Sequence, residues 1–154
     1  MAEPGTHSVR EPGAGAAHAP RIVVGVDGSE SSVRALEWAV TEARRSGGTL
    51  HLVSAWVFPM ALGYAFTTTV SDVQKTAQQV IDRSIAYVHA LAPEIEVDGE
   101  TTEQMPAAAL VAAAAGTDLL VVGSRGRGGF EGMLLGSVSQ HCARHATCSV
   151  VVVR

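Results

Sequence analysis

Residues 119–129 read Leu119-Leu120-Val121-Val122-Gly123-Ser124-Arg125-Gly126-Arg127-Gly128-Gly129, and Gly136-Ser137 follow seven residues later. Four unbroken apolar residues bounded by turn formers read as a strand buried on both faces, the kind found in parallel sheets. The strand runs straight into glycines, which let the backbone reach positive φ and let a ligand touch main-chain N–H groups. A helix starting at Ser137 adds free amides and a partial positive charge of about half an elementary charge. Strand, glycine turn and helix start together form an anion site that needs no lysine. Ser124 and Ser137 add hydroxyl donors, and Arg125 and Arg127 screen the charge of the ligand.

Working outward, the same alternation recurs. Ile22–Val26 is a β-branched run that exits at Asp27-Gly28. Val33, Leu36, Val40 and Ala43 then keep helical spacing, with Ser29 to Ser32 as candidate caps and Gly47-Gly48 as the stop. Leu50–Val57 reads as a second strand and Phe58–Thr69 as a loop. Ser71-Asp72 opens a second helix, whose face is Val73, Ala77, Val80, Ser84, Val88 and Leu91, and Pro93 ends it. Glu94–Thr102 reads as an outer strand. Pro106 starts a third helix over Ala107–Ala115. Ser137 with Gln140 three residues on has the pattern of a capping box for a fourth helix running to His145. Ser149–Val153 is the last strand. Buried strands alternating with amphipathic helices predict an α/β domain with a parallel sheet and helices on both faces.

Composition narrows the function. The 154 residues are 47% hydrophobic and 17% charged, enough apolar content for one folded core. No apolar run approaches the roughly 20 residues a bilayer requires, so no membrane association is expected. The net charge of −4 gives no electrostatic support to nucleic-acid binding. Lys75 is the only lysine, and no Gly-Lys-Ser/Thr occurs, so a Walker phosphate loop is absent. Residues 1–19 are rich in Ala, Gly, Pro and His without periodicity and are expected to be a disordered tail, with the folded domain over 20–154. The tail has no apolar core of a signal peptide, and the two cysteines, Cys142 and Cys148, make no disulfide framework, so a cytoplasmic location is expected.

Other readings of the glycines compete. A plain flexible connection would use glycines too. Arg125-Gly126-Arg127-Gly128-Gly129 fits the letters of an RNA-binding RGG segment, but only once and without aromatic repeats. A dinucleotide fingerprint belongs after the first strand, whereas these glycines follow the fourth. His141, His145 and Cys148 offer zinc-ligand types, two of them on one helix face, yet the next segment is core strand and no oriented carboxylate joins them. Trp38 and Trp56 read as packing residues of the core and its rim.

The spacing Gly123-x2-Gly126-x9-Gly136-Ser137, together with Val24–Ser29, Asp118-Leu119-Leu120-Val121-Val122-Gly123 and the valine-rich end, resembles the ATP-binding signature of the universal stress protein family. The likeness covers Arg21 to Arg154. Cys148-Ser149-Val150 stands where many relatives carry Cys-Pro-Val. The resemblance implies a Rossmann-like, adenine nucleotide alpha hydrolase-like fold, a single open parallel sheet of five strands in the order 3-2-1-4-5. It implies ATP with Mg2+ at the switch point between the first and fourth strands. Gly123, Gly126, Arg127, Gly128 and Gly129 would wrap the phosphates, and Gly136, Ser137 and the Val138 amide would close on them. Asp27, with Gly25 and Val26 beside it, would meet ribose or adenine, and Ala55 would offer main-chain hydrogen bonds to the base. A homodimer joined through Val150–Val153 is implied as well. The expected role is nucleotide-dependent regulation in a stress response, with hydrolysis feeble at most. The alternatives are a slow ATPase or phosphotransferase and a ligand-free dimeric interaction module.

Overall fold

The computed structural model describes residues 18–58, 69–127 and 134–154. Strand β1 (Arg21–Gly25) is followed by α1 (Glu30–Ser46), β2 (Thr49–Trp56), α2 (Val70–Leu91), β3 (Val97–Glu103), α3 (Pro106–Ala113), β4 (Leu119–Gly123), α4 (Ser137–His145) and β5 (Ser149–Val153). The strands form one sheet in the order β3-β2-β1-β4-β5, and every pairing is parallel. The chain therefore reverses its direction of winding between β1 and β4, which opens a crevice at the carboxyl ends of those two strands.

Alternation along each strand divides the core in two. Ile22, Val24, Leu50, Leu52 and Val121 point to the face covered by α1 and α2, where they meet Leu36, Val40, Ile81 and Val88. Val23, Val53, Leu120 and Val122 point to the other face, against Leu110 and Ala114 near α3 and Cys142 of α4. Both faces of β1 and β4 are thus sealed, which is why their sequences are unbroken apolar runs.

Several local expectations shift. Helix α2 begins at Val70, one residue earlier than Ser71-Asp72 suggested: Thr69 is its N-cap, and its side chain and that of Asp72 reciprocally bond the two main-chain N–H groups. The face that α2 buries is set by Ala77, Ile81 and Val88, whereas Leu91 is 42% exposed. Strand β3 starts at Val97 because Ala92 to Ile95 closes a turn, with the Ile95 N–H donating to the Ala92 carbonyl. Trp38 lies on the outer side of α1 and is exposed. The expected tail lies outside the described residues except for His18 and Ala19, and the Phe58–Thr69 loop lies outside them over 59–68.

The Ser137–Gln140 capping box is not formed. Gly136 is the N-cap of α4, in extended backbone (φ −73°, ψ 163°), and supplies no side-chain hydrogen bond. The Gln140 amide donates instead to the Leu135 carbonyl. The first intrahelical bond runs from the Gln140 N–H to the Gly136 carbonyl, so the amides of Ser137, Val138 and Ser139 precede the helical ladder.

Candidate functional site

A cavity of about 730 Å3 occupies the carboxyl end of the sheet. Of the residues singled out from the sequence, Gly25, Val26, Asp27, Ala55, Gly123, Arg125, Gly126, Arg127, Gly136, Ser137 and Val138 line it. Gly128 and Gly129 lie outside the described residues. Ser124 departs from the expectation of a hydroxyl facing the ligand. It is buried, it borders a smaller cavity shared with the start of α1, and its main chain frames the loop. Its N–H donates to the Val153 carbonyl at 2.7 Å, and its carbonyl accepts from the Gly136 N–H at 2.7 Å. Ser139, a residue the sequence reading passed over, completes that frame by donating its hydroxyl to the carbonyls of Ser124 and Gly136. These bonds tie the strand exit to the helix start, whose residues Ser137, Val138 and Ser139 line the cavity ahead of the helical ladder.

The glycines differ in what they do. At Gly123 a Cβ would come within 2.7 Å of the Ser31 carbonyl, so the missing side chain lets the first turn of α1 press against the end of β4. At Gly126 a Cβ would lie 2.9 Å from an Asp27 carboxylate oxygen. At Gly136 it would meet only ordinary contacts at 3.4 Å. Gly123 is therefore a packing residue, while Gly136 leaves space and amides on the cavity side.

Asp27 joins the two loops. One carboxylate oxygen accepts from the Ser29 N–H at 2.9 Å, and the other accepts from the Arg127 N–H at 3.1 Å, 100 residues away in sequence. Asp27 thus holds the turn into α1 and lines the cavity at once. Burial alone would raise the carboxyl pKa, but hydrogen bonds from Ser29, Ser32 and Arg127 outweigh it and hold the group below its ordinary value of 3.8. A carboxyl depressed in the folded state adds stability that is complete above that ordinary value and fades as pH falls through the lower folded value. Urea midpoints of the protein and of Asp27→Asn are accordingly expected to differ at neutral pH. They should converge as pH is lowered from about 5 to about 2.

The base-binding end follows from strand length. In β2 the main-chain groups of Thr49 and Val53 face β1, since the Thr49 N–H donates to the Pro20 carbonyl and the Val53 carbonyl accepts from the Val26 N–H. Ala55, two residues further, faces the same way, but the β1 register stops at the Gly25–Val53 pair. Its N–H and C=O therefore point into the gap that β1 leaves at Asp27, one donor beside one acceptor. Val73, Thr76, Ala77 and Val80 of α2 line one side of the cavity, and Pro106 and Leu110 of α3 also line it. Trp56 belongs to this lining too. The sequence reading missed all seven because their spacing reads equally well as core packing.

Among the described residues no cluster of three His, Cys, Asp or Glu is arranged to hold a metal. His141 and His145 stack on an exposed face with ring centroids 4.3 Å apart. Cys142 turns into the core, where burial pushes its thiol up to about 11, away from the thiolate form that zinc takes.

Fold and cavity together define a doubly wound α/β domain with a glycine loop and an uncapped helix start at its switch point. The chain belongs to the universal stress protein family, whose profile matches residues 19–154. It is 36% identical over 141 residues to a universal stress protein of Mycolicibacterium smegmatis, covering 90% of this chain and 48% of that protein. It is 40% identical over 140 residues to one from Mycobacterium tuberculosis H37Rv, covering 89% of this chain and 46% of the relative. The chain thus spans about half the length of these curated relatives. Among solved structures, a universal stress protein in complex with cAMP superposes with a TM-score of 0.68 at 27% identity, covering 88% of this chain and 97% of that one. No helix among the described residues is long and apolar enough to cross a membrane.

Proposed function

We propose that this domain binds an adenine nucleotide, ATP with Mg2+ in the cell, and that occupancy rather than turnover is its function. The observation that carries the reading is the helix start at Gly136. Its uncapped amides face a cavity that also holds an acceptor-only carboxylate, Asp27, and the exposed main-chain pair of Ala55. Amides at a helix N-terminus suit phosphate oxygens, a carboxylate suits ribose hydroxyls, and a donor beside an acceptor suits the edge of adenine. The fold match to a relative in complex with cAMP supports the same ligand class. Two acids, Asp27 and Asp72, line the cavity, and both already accept main-chain hydrogen bonds. A magnesium ion would therefore ride on phosphate oxygens and water, adding charge neutralisation to the site.

Catalysis is disfavoured by the same geometry. Asp27 is held below the usual carboxylate range by the N–H groups it accepts, so it is a poor general base at neutral pH. Binding without turnover still has leverage. Nucleotide at a hundredfold excess over Kd adds about 2.7 kcal/mol to the stability of the bound state. Strand β5 ends the sheet, and Val150 to Val153 are only half-buried, so pairing with a second copy would satisfy its free main-chain edge. A homodimer formed there would place the loop frame, anchored through Ser124 to Val153, next to the interface.

Mass spectrometry of nucleotide released from freshly purified protein, followed by calorimetric titration with Mg-ATP, AMP and cAMP, tests the proposal. Adenylate in the released fraction and a measurable Kd support it. No heat and no thermal shift at millimolar nucleotide would leave a ligand-free interaction module.

A further inference from the structure

Within the nucleotide reading of the cavity, on which this inference rests, we propose that Trp56 is the residue that selects the base, by stacking on one face of a purine. Side chains of Leu50 and Leu52 on β2 point into the core under α1 and α2. Trp56 continues that series by strand alternation, but it stands beyond the end of β1, where the core has given way to the cavity. It is half-buried and, among the described residues, joins neither hydrophobic cluster. Its indole N–H makes no hydrogen bond to a side chain there either. Among the described residues the ring thus fills no core and anchors no polar network, and the place recorded for it is the cavity lining.

Position relative to Ala55 fixes what the ring would meet. Main-chain groups of a strand lie in the sheet plane, and side chains stand perpendicular to it. A planar base whose edge bonds the N–H and C=O of Ala55 therefore presents a face to the side on which Trp56 stands, beside Val73 and Val80. Pro106 and Leu110 of α3 are placed to bound the opposite face. The indole discriminates by ring area: a two-ring base covers it, and a one-ring base covers about half. Every base stacks to some extent, so this is graded selection for purine over pyrimidine rather than exclusion.

The chain has two tryptophans, and Trp38 does not line the cavity, so Trp38→Phe leaves Trp56 as the sole reporter. In that variant AMP is expected to quench tryptophan emission. By calorimetry, Trp56→Ala should weaken AMP about tenfold, Trp56→Phe less than about threefold, and the AMP-over-UMP preference should narrow in Trp56→Ala. Unchanged AMP affinity in Trp56→Ala, or equal weakening of AMP and UMP as a merely structural residue would give, overturns the role of Trp56 while leaving the site. Should Trp56→Ala not fold, quenching and the Trp56→Phe preference decide. An unmodified protein that binds no nucleotide fails the cavity reading itself, and this inference with it.

Discussion

Gly136→Asp is expected to leave the fold intact and to weaken binding of AMP and ATP by at least about a hundredfold. The backbone at Gly136 is ordinary extended chain, open to any residue, and an added Cβ meets only normal contacts. Aspartate is also among the best N-cap residues, so its carboxylate would take the amides of the first turn of α4 and stabilise the helix by a few tenths of a kcal/mol relative to glycine. Those are the amides a phosphate would use. Losing two charge-assisted hydrogen bonds, at about 1.5 kcal/mol or more each, and gaining a like charge accounts for a hundredfold loss. Calorimetric titration together with a urea midpoint checks both halves. The variant separates site from scaffold better than Gly126→Glu, which would set a second carboxylate against Asp27 and loosen the loop as well.

Gly123→Ala should behave in the opposite way. A methyl group there runs into the main chain of Ser31, which cannot rotate aside as a side chain can. Overpacking of this kind costs about 1–3 kcal/mol, because α1 must lift from the end of β4. Chemical denaturation should show the lowered stability, and the fraction that remains folded should still bind nucleotide within a few-fold of the unmodified protein. The contrast matters because the two glycines look equivalent in the sequence signature. One is there for helix packing, the other for open amides.

That contrast also marks how far the sequence could be read. The order of elements was legible because β1, β4 and β5 contain unbroken apolar runs, in β1 and β4 the mark of strands covered on both faces, and the intervening apolar spacing is helical. The strand order came from the family resemblance, and the structure has the same order. Cap chemistry was less legible: Ser137-x-x-Gln140 has the letters of a capping box, but the N-cap falls one residue early, on a glycine with no side chain to give. A pattern of letters does not fix φ and ψ at a boundary. The base-binding end was hidden for a different reason. Trp56, Val73 and Val80 are apolar residues at strand and helix spacing, and only the early end of β1 relative to β2 turns them from core into cavity wall. Asp27 was visible as a turn residue, but its bond to the Arg127 amide joins positions 100 residues apart, a link that local spacing does not carry.

The central claim is that main-chain amides, not a lysine, hold the phosphate of an adenine nucleotide at this switch point. Amide shifts of 15N-labelled protein, followed through a titration with AMP and in parallel with adenosine, test it most directly. AMP is expected to move the amides of Gly126, Ser137 and Val138 strongly and that of Ala55 as well, whereas adenosine should move Ala55 and leave the α4 start nearly unchanged. Saturable AMP binding with the Ser137 and Val138 amides unmoved would contradict it.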